Sequence, residues 1–169
     1  LKKITGSKVI KNFQGLAIDS RVVKKNNLFL TIKGKNNDGS KFIPHALNKG
    51  ARYIVSSKVE KRYRNKTLKV KNEILFLNKF AKLNRESSLA KIIAITGSVG
   101  KTSLKNLLKQ LLQNFAKTYS SPKSYNNHLG VPISLSNLTG EDKYGVFEIG
   151  MSKKGEIDNL SKLIKPHIG

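Results

Sequence analysis

The chain has no cysteine and no tryptophan among its 169 residues. The lack of cysteine excludes disulfide frameworks, thiolate metal sites and cysteine nucleophiles, and it agrees with a reducing cytoplasm. No run of about 18 apolar residues occurs, and the first residues lack the apolar segment and cleavage site of an export signal. We therefore expect a cytoplasmic chain without a membrane-spanning segment.

Acidic residues are scarce, since the chain has ten Asp and Glu but 33 Lys and Arg. Its formal net charge is therefore +23. Most of this excess lies in the first 91 residues, which carry +18. The densest stretch, Lys58–Lys71, surrounds Tyr63 and is one possible RNA-binding patch. The alternative is a solvated surface, because lysines accompany asparagines throughout the chain. A high net charge alone predicts only non-specific association with polyanions, so we expect no specific nucleic-acid partner.

The first half of the chain alternates strand-like and helix-like segments. Apolar runs predict strands at Leu28–Ile32 and Tyr53–Val55. Between them, the spacing predicts a short helix capped by Ser40 and ending before Gly50. A second helical pattern covers residues 74–83 and ends near Ser88, where we place a domain boundary between 88 and 89.

The second half begins with a continuous apolar run, Ile92–Ile95, which is typical of a strand buried on both faces. A small-residue turn follows, and then apolar residues recur with helical spacing: Leu104, Leu107, Leu108, Leu111, Leu112 and Phe115. Another strand is predicted at Val146–Ile149 and another helix through Ile164, ending before Pro166. The last three residues read like the beginning of a strand. The pattern predicts an α/β fold with a mainly parallel sheet.

A phosphate-binding loop is predicted between the strand at 92–95 and the following helix. Gly97 and Gly100 permit backbone geometry that side chains obstruct, Lys101 can reach the β- and γ-phosphates, and the Thr102 hydroxyl can bind Mg²⁺. The loop is a shorter GxxGKT form, because Ile95 stands where the full Walker motif has glycine. The alternative is a glycine turn with an incidental lysine. The predicted nucleotide-binding residues are Gly97, Ser98, Val99, Gly100, Lys101, Thr102 and Ser103.

Glu148 interrupts an apolar strand at the end where ligands gather in open α/β sheets. A buried carboxylate needs a partner, and nucleotide-bound Mg²⁺ would supply one. The alternative is an ion pair with a nearby lysine. The sequence leaves both open.

Four segments together resemble the Mur ligase family. They are Thr96–Ser103, Ser124–Pro132, Phe147–Met151 and Gly155–Ile157, and the asparagine pair in the second resembles the member that adds D-alanyl-D-alanine. In the first half, Ile18–Arg21, Leu28–Leu30, Lys33–Gly34 and Asp38–Phe42 resemble the family's uridine-nucleotide domain. The resemblance implies a small α/β UDP-substrate domain at 1–88 and, at 89–169, the first part of a P-loop-type ATP-binding central domain with a mainly parallel sheet.

The resemblance also implies substrate-binding roles for five residues: Asp19, Ser20, Arg21, Asn126 and Asn127. From chemistry alone, Asp19–Arg21 could instead be a turn with a local ion pair, and the asparagines could belong to a structural loop. His128 is expected to be structural.

The implied reaction uses ATP and Mg²⁺ to join UDP-N-acetylmuramoyl-tripeptide to D-alanyl-D-alanine. Lys101 and Glu148 carry the catalytic roles, with Thr102 and Glu148 as the metal ligands. Family members have further ATPase and C-terminal regions, so we expect this chain to be a piece of a monomeric enzyme and to be inactive alone. The alternatives are another Mur-type ligase, another P-loop nucleotide enzyme, or a basic nucleic-acid-binding module.

Overall fold

The structure is a computed structural model that describes residues 13–34, 37–123, 125–151 and 153–169. The chain divides into two compact units, with the division between Phe80 and Ala81. A helix, Glu73–Ser87, runs through the point of division. The two units are described separately.

The first unit is built on a four-stranded parallel sheet in the order β1-β2-β3-β4. The strands are β1 Leu16–Ala17, β2 Leu28–Leu30, β3 Tyr53–Ser56 and β4 Thr67–Lys69. Helix α1, Ile43–Asn48, connects β2 to β3. The two predicted strands and the helix between them are therefore confirmed, whereas the short β1 and β4 carry too few apolar residues to be seen as patterns.

The predicted serine cap of this helix is wrong. A 3₁₀ turn, Gly39–Phe42, precedes α1, and the carboxylate of Asp38 accepts a hydrogen bond from the Ser40 N–H at 3.0 Å. Gly39 is required beside this cap, because a Cβ there would lie 2.9 Å from the Ile32 carbonyl oxygen. Asp38 therefore begins the helical segment two residues earlier than predicted.

The second unit is built on a three-stranded parallel sheet in the order β5-β7-β6. Its strands are β5 Lys91–Ile95, β6 Thr118–Ser120 and β7 Tyr144–Glu148. The helices, including the one at the division, are α2 Glu73–Ser87, α3 Lys101–Gln113, α4 Gly130–Ser136 and α5 Glu156–Ile164. Ile168 makes a parallel bridge to Ile93 of β5, as its strand-like sequence predicts. The predicted α/β class with parallel sheets is confirmed.

The core of the second unit is formed where both faces of the sheet are covered. Ile92, Leu135, Phe147 and Ile164 are fully buried there. Burial of apolar surface on both faces explains why β5 and β7 read as continuous apolar runs.

The apolar stripe of α3 is largely exposed, although the helix itself is confirmed. Leu104 is 46%, Leu107 52% and Leu111 50% exposed, and Phe115, which lies just beyond the end of the helix, is 81% exposed. The stripe therefore predicts the helix correctly without contributing much to the core among the described residues. Within the described part of the chain, no helix combines the length and apolarity needed to cross a membrane.

Candidate nucleotide and metal site

The register of the second sheet brings the phosphate-binding loop and Glu148 together. Strands β5 and β7 are neighbours, and Ile95, the last residue of β5, pairs with Glu148, the last residue of β7. The Ile149 N–H donates to the Ile95 carbonyl at 2.8 Å, which fixes this end of the pair. Glu148 therefore lies at the carboxyl edge of the sheet, beside the loop that leaves β5.

The loop after β5 is exposed and ends at the first turn of α3. Gly97 and Gly100 have φ of 140° and 77°, values that favour glycine. The Gly100 carbonyl accepts the Leu104 N–H at 2.9 Å and so begins the helix. Because an α-helix leaves the N–H groups of its first turn without intrahelical partners, Lys101, Thr102 and Ser103 present donors to an anion.

The Lys101 ammonium lies over the loop that is predicted to bind phosphate. Its Nζ donates to the Gly97 carbonyl at 2.6 Å and to the Ser98 carbonyl at 3.2 Å. A phosphate in the loop would be a stronger acceptor than these carbonyls, because its oxygens carry negative charge that attracts the ammonium. Lys101 is thus within reach of a bound phosphate, next to Ser98 and the exposed Val99.

Glu148 is buried, with 2% of its side chain exposed, and both carboxylate oxygens accept hydrogen bonds. Thr102 Oγ1 donates to Oε2 at 2.8 Å, and Asn126 Nδ2 donates to Oε1 at 2.8 Å. The Lys105 ammonium lies 3.4 Å from Oε2. Burial would raise the pKa of Glu148, but the hydrogen bonds from Asn126 and Thr102 and the charge of Lys105 lower this pKa below its ordinary value.

Lys105 also belongs to the site, although it is not among the residues predicted from the sequence. It is 1% exposed, and its Nζ also donates to the Lys123 carbonyl at 2.5 Å. A signal existed, because residues three and four apart share a helix face, and Lys105 follows Thr102 by three and Lys101 by four. The lysine partner considered as an alternative for Glu148 is therefore present in the structure.

Thr102 and Glu148 also fit a magnesium ion. Mg²⁺ holds octahedral oxygen ligands at about 2.0–2.1 Å, so two neighbouring ligand oxygens lie about 2.9 Å apart. The 2.8 Å between Thr102 Oγ1 and Glu148 Oε2 is the length of a hydrogen bond, and it is also compatible with this separation. No cluster of three or more His, Cys, Asp or Glu occurs among the described residues. The donor set suits a cation whose other ligands are water and nucleotide phosphate.

The two predicted substrate asparagines have different roles in the structure. Asn126 binds Glu148, and its carbonyl accepts the Gly150 N–H at 2.7 Å. Asn127 Oδ1 accepts the N–H groups of Leu129 at 3.1 Å and Gly130 at 2.9 Å, so it holds the turn that leads into α4. Ser124, which begins the predicted motif, lies outside the described residues.

In the first unit, Asp19, Ser20 and Arg21 follow β1 at the carboxyl edge of its sheet. Asp19 Oδ1 accepts the Arg21 N–H at 2.9 Å, and the Arg21 guanidinium binds the same carboxylate at 2.7 Å. The hydrogen bond and charge of Asp19 raise the pKa of Arg21. Ser20 is buried, and its Oγ lies 2.9 Å from Nδ1 of His45 in α1. The turn with a local ion pair is therefore present, and His45 joins it.

The basic stretch contains an exposed 3₁₀ segment, Lys61–Lys66. Arg62 pairs with Glu60 at 3.0 Å and lies over the Tyr63 ring at 4.6 Å from its centroid. Arg62 covers one face of this ring, and the ring also packs against the core of the first unit, so little aromatic surface is left for a stacked base.

Two family models match consecutive parts of the chain. One, described as the Mur ligase family catalytic domain, matches residues 12–95, and the other, the Mur ligase middle domain, matches residues 95–169. The chain belongs to the Mur ligase family, which confirms the resemblance.

Curated relatives named UDP-N-acetylmuramoyl-tripeptide–D-alanyl-D-alanine ligase match nearly the whole chain. The one from Rickettsia prowazekii is 43% identical over 158 residues, covering 93% of this chain and 35% of that protein. The one from Bacillus subtilis is 30% identical over 154 residues, covering 90% of this chain and 34% of that protein. The chain thus spans about a third of the length of these relatives.

Solved structures also match this chain over most of its length. A structure of MurF from Acinetobacter baumannii matches with a TM-score of 0.80 and 30% identity, covering 98% of this chain and 38% of that one. MurF ligase from Thermotoga maritima in complex with ADP matches with a TM-score of 0.71 and 29% identity, covering 90% of this chain and 36% of that one.

Proposed function

We propose that this chain supplies the UDP-substrate domain and the phosphate-binding part of an ATP-dependent ligase that adds D-alanyl-D-alanine to UDP-N-acetylmuramoyl-tripeptide. The observation that carries the proposal is the convergence of the loop, Thr102 and Glu148 at adjacent strand ends. The similarity to relatives that bear this name supports the choice of substrates.

In this proposal, residues 97–103 bind the ATP phosphates. The backbone N–H groups of the loop and of the first turn of α3 hold the phosphate oxygens, and Lys101 leaves its two carbonyl acceptors to contact the transferring phosphoryl group. Thr102 and Glu148 hold Mg²⁺, which would neutralise charge on the phosphate oxygens. Asn126 orients the Glu148 carboxylate.

The reaction forms an amide through an acyl phosphate. The terminal carboxylate of the tripeptide attacks the γ-phosphorus of ATP, which breaks the bond to ADP and leaves an acyl phosphate. The amine of D-alanyl-D-alanine then displaces phosphate and loses a proton. Lys101 and the loop N–H groups stabilise the charge that develops on the transferring group, and no protein nucleophile is required.

The first unit binds the uridine nucleotide. Asp19, Ser20 and Arg21 lie at the carboxyl edge of a parallel sheet, the edge at which ligands bind in such folds. The Arg21 side chain is 82% exposed, so its guanidinium can also reach a diphosphate. In this proposal the boundary of the substrate domain lies at 88/89, and Asn127 contributes by holding the Asn126 loop.

The whole enzyme would act as a cytoplasmic monomer in peptidoglycan synthesis, and hence in cell shape and division. It would need no nucleic-acid or membrane partner.

A crossed binding experiment tests the proposal. Residues 1–169 and the variants Lys101→Ala and Arg21→Ala are titrated calorimetrically with Mg-ATP and with UDP-N-acetylmuramoyl-tripeptide. We expect Lys101→Ala to weaken Mg-ATP binding at least tenfold and to leave the UDP ligand unaffected. Arg21→Ala should have the opposite pattern, because the two residues serve different ligands.

The outcomes separate the rival functions. Binding of Mg-ATP without the UDP ligand would indicate another P-loop enzyme. Tight RNA binding with a steep salt dependence that survives Lys101→Ala would favour a nucleic-acid-binding module.

A further inference from the structure

Lys105 is an almost fully buried lysine beside a buried carboxylate. The side chains of Lys105 and Glu148 are each 2% exposed, and 3.4 Å separates Nζ from Oε2. A charge buried in this way is costly unless an opposite charge accompanies it. Among the described side chains that contact Glu148, Lys105 is the one that carries positive charge.

The ammonium is also fixed in position. Its Nζ donates to the Lys123 carbonyl at 2.5 Å, and Lys123 has a φ of 47°, in the left-handed region that a lysine rarely adopts. The α3 backbone holds Lys105 at its other end. These contacts hold the positive charge next to Glu148.

Lys105 faces the same oxygen that Thr102 contacts. Thr102 Oγ1 lies 2.8 Å from Glu148 Oε2, and these two oxygens are the ones that fit the metal. A cation arriving there meets a carboxylate that is already neutralised and a fixed positive charge nearby. A phosphate oxygen in the loop would restore the missing negative charge.

We propose that Lys105 is a resident counter-ion for Glu148 that suppresses metal binding by the bare protein, so that the divalent ion enters only together with the nucleotide phosphates. The inference rests on the proposed Mg-nucleotide site. It assigns a positioning and selectivity role to a residue that itself touches neither substrate nor metal.

Free Mn²⁺ is the probe, measured by electron paramagnetic resonance with residues 1–169, first without and then with ADP. The variants are Lys105→Met, which removes the charge, and Lys105→Gln, which removes the charge but keeps a donor for the Lys123 carbonyl. Lys109→Met, one helical turn farther along α3, is the matched control.

We expect both Lys105 variants to bind Mn²⁺ without ADP about ten- to a hundredfold more tightly than the unmodified chain, because a fixed like charge a few ångströms away has been removed. The enhancement of Mn²⁺ binding by ADP should shrink correspondingly, and Lys109→Met should change neither value. Unchanged or weaker Mn²⁺ binding in the Lys105 variants would overturn the proposal, since a purely structural lysine gives that result.

Stability provides a second readout. Without metal, Lys105→Met should unfold at a lower temperature, because Glu148 has lost its counter-ion. Mn²⁺ should restore the loss by binding the folded state. If the variant is unfolded from the start, Mn²⁺ should refold it, and failure to do so counts against the proposal. The double variant Lys105→Met/Glu148→Gln should be stable without metal and should not respond to Mn²⁺.

Failure of the proposed function gives a different result. If the unmodified chain binds Mn²⁺ no better with ADP than without it, the Mg-nucleotide site itself is wrong. If ADP enhances Mn²⁺ binding in the unmodified chain and equally in Lys105→Met, only the role of Lys105 is wrong.

Discussion

Replacing Gly130 with alanine should distort the predicted nucleotide and metal site by displacing the neighbouring backbone. Gly130 is the first residue of α4, and a Cβ there would lie 2.5 Å from Cα and 2.6 Å from the carbonyl carbon of Tyr125. Because these are backbone atoms, no side-chain rotation can relieve the contact. The backbone must move by about 0.5–0.9 Å to reach the 3.0–3.4 Å at which a Cβ is tolerated.

This displacement acts on Asn126, the next residue. Its hydrogen bond to Glu148 is 2.8 Å long, and a shift of about 0.7 Å would stretch it to the limit of a hydrogen bond. Overpacking costs about 1–3 kcal/mol, and the entropic gain of Gly→Ala offsets about 0.4–1 kcal/mol of this. We expect a net loss of about 1–2 kcal/mol in the free energy of unfolding, together with weaker Mg-ADP binding.

Gly140→Ala is the matched control. A Cβ at Gly140 meets nothing within 4 Å, so this variant should be neutral or slightly stabilising. Urea unfolding followed by circular dichroism gives the stabilities, and calorimetry gives the ADP affinities. Equal stability and equal Mg-ADP affinity of Gly130→Ala and Gly140→Ala would show that a Cβ at Gly130 causes no backbone displacement.

Three further predictions concern stability and are read out by urea unfolding. Leu111→Gln, at a half-exposed position of the α3 stripe, should change the free energy of unfolding by less than about 0.5 kcal/mol. Leu135→Ala, in the core, should lower the free energy of unfolding by about 2–5 kcal/mol. Similar costs for the two variants would contradict the difference in exposure between the two positions. Arg85→Met should cost about 2–3 kcal/mol, because Arg85 donates to the carbonyls of Ile164 at 2.6 Å and Lys165 at 2.7 Å; a stable variant would show that these bonds contribute nothing. Hydrogen bonds from the backbone and the side chain of Ser40 lower the pKa of Asp38 below 3.8. The ionised Asp38 cap therefore stabilises the fold fully above about pH 3.8, and this stabilisation is lost as the pH falls through the pKa that Asp38 has in the folded state. Asp38→Asn should therefore weaken the pH dependence between pH 2.5 and 6, and an unchanged profile would argue against the cap.

The sequence predicts the parts of the site that depend on backbone pattern. A buried strand, a glycine-containing turn and an amphipathic helix predict the phosphate loop, and a carboxylate at the end of an apolar strand makes Glu148 a candidate metal ligand. Their proximity depends on strand order, which local periodicity does not contain. The pairing of Ile95 with Glu148 is therefore a structural result.

The sequence could not show how polar side chains share partners. Asn126 and Asn127 are identical in type and adjacent, yet one binds Glu148 and the other holds the turn that leads into α4. Lys105 looks like one of many lysines, although the helical spacing from Thr102 places it on the same face. The leucine stripe of α3 likewise predicts a helix but not which neighbour covers it, because amphipathicity defines a face and not its partner.

We propose that Thr102 and Glu148 hold a divalent ion together with nucleotide at the phosphate loop. The most direct measurement is the affinity of residues 1–169 for ADP with and without Mg²⁺, compared between Thr102→Ser, which keeps the hydroxyl, and Thr102→Val, which replaces it with a methyl group. We predict that Mg²⁺ strengthens ADP binding in the unmodified chain and in Thr102→Ser, and that Thr102→Val loses most of this enhancement. An equal Mg²⁺ enhancement in Thr102→Val would show that the Thr102 hydroxyl is not a metal ligand, and no enhancement in the unmodified chain would show that the loop does not bind a divalent ion with the nucleotide.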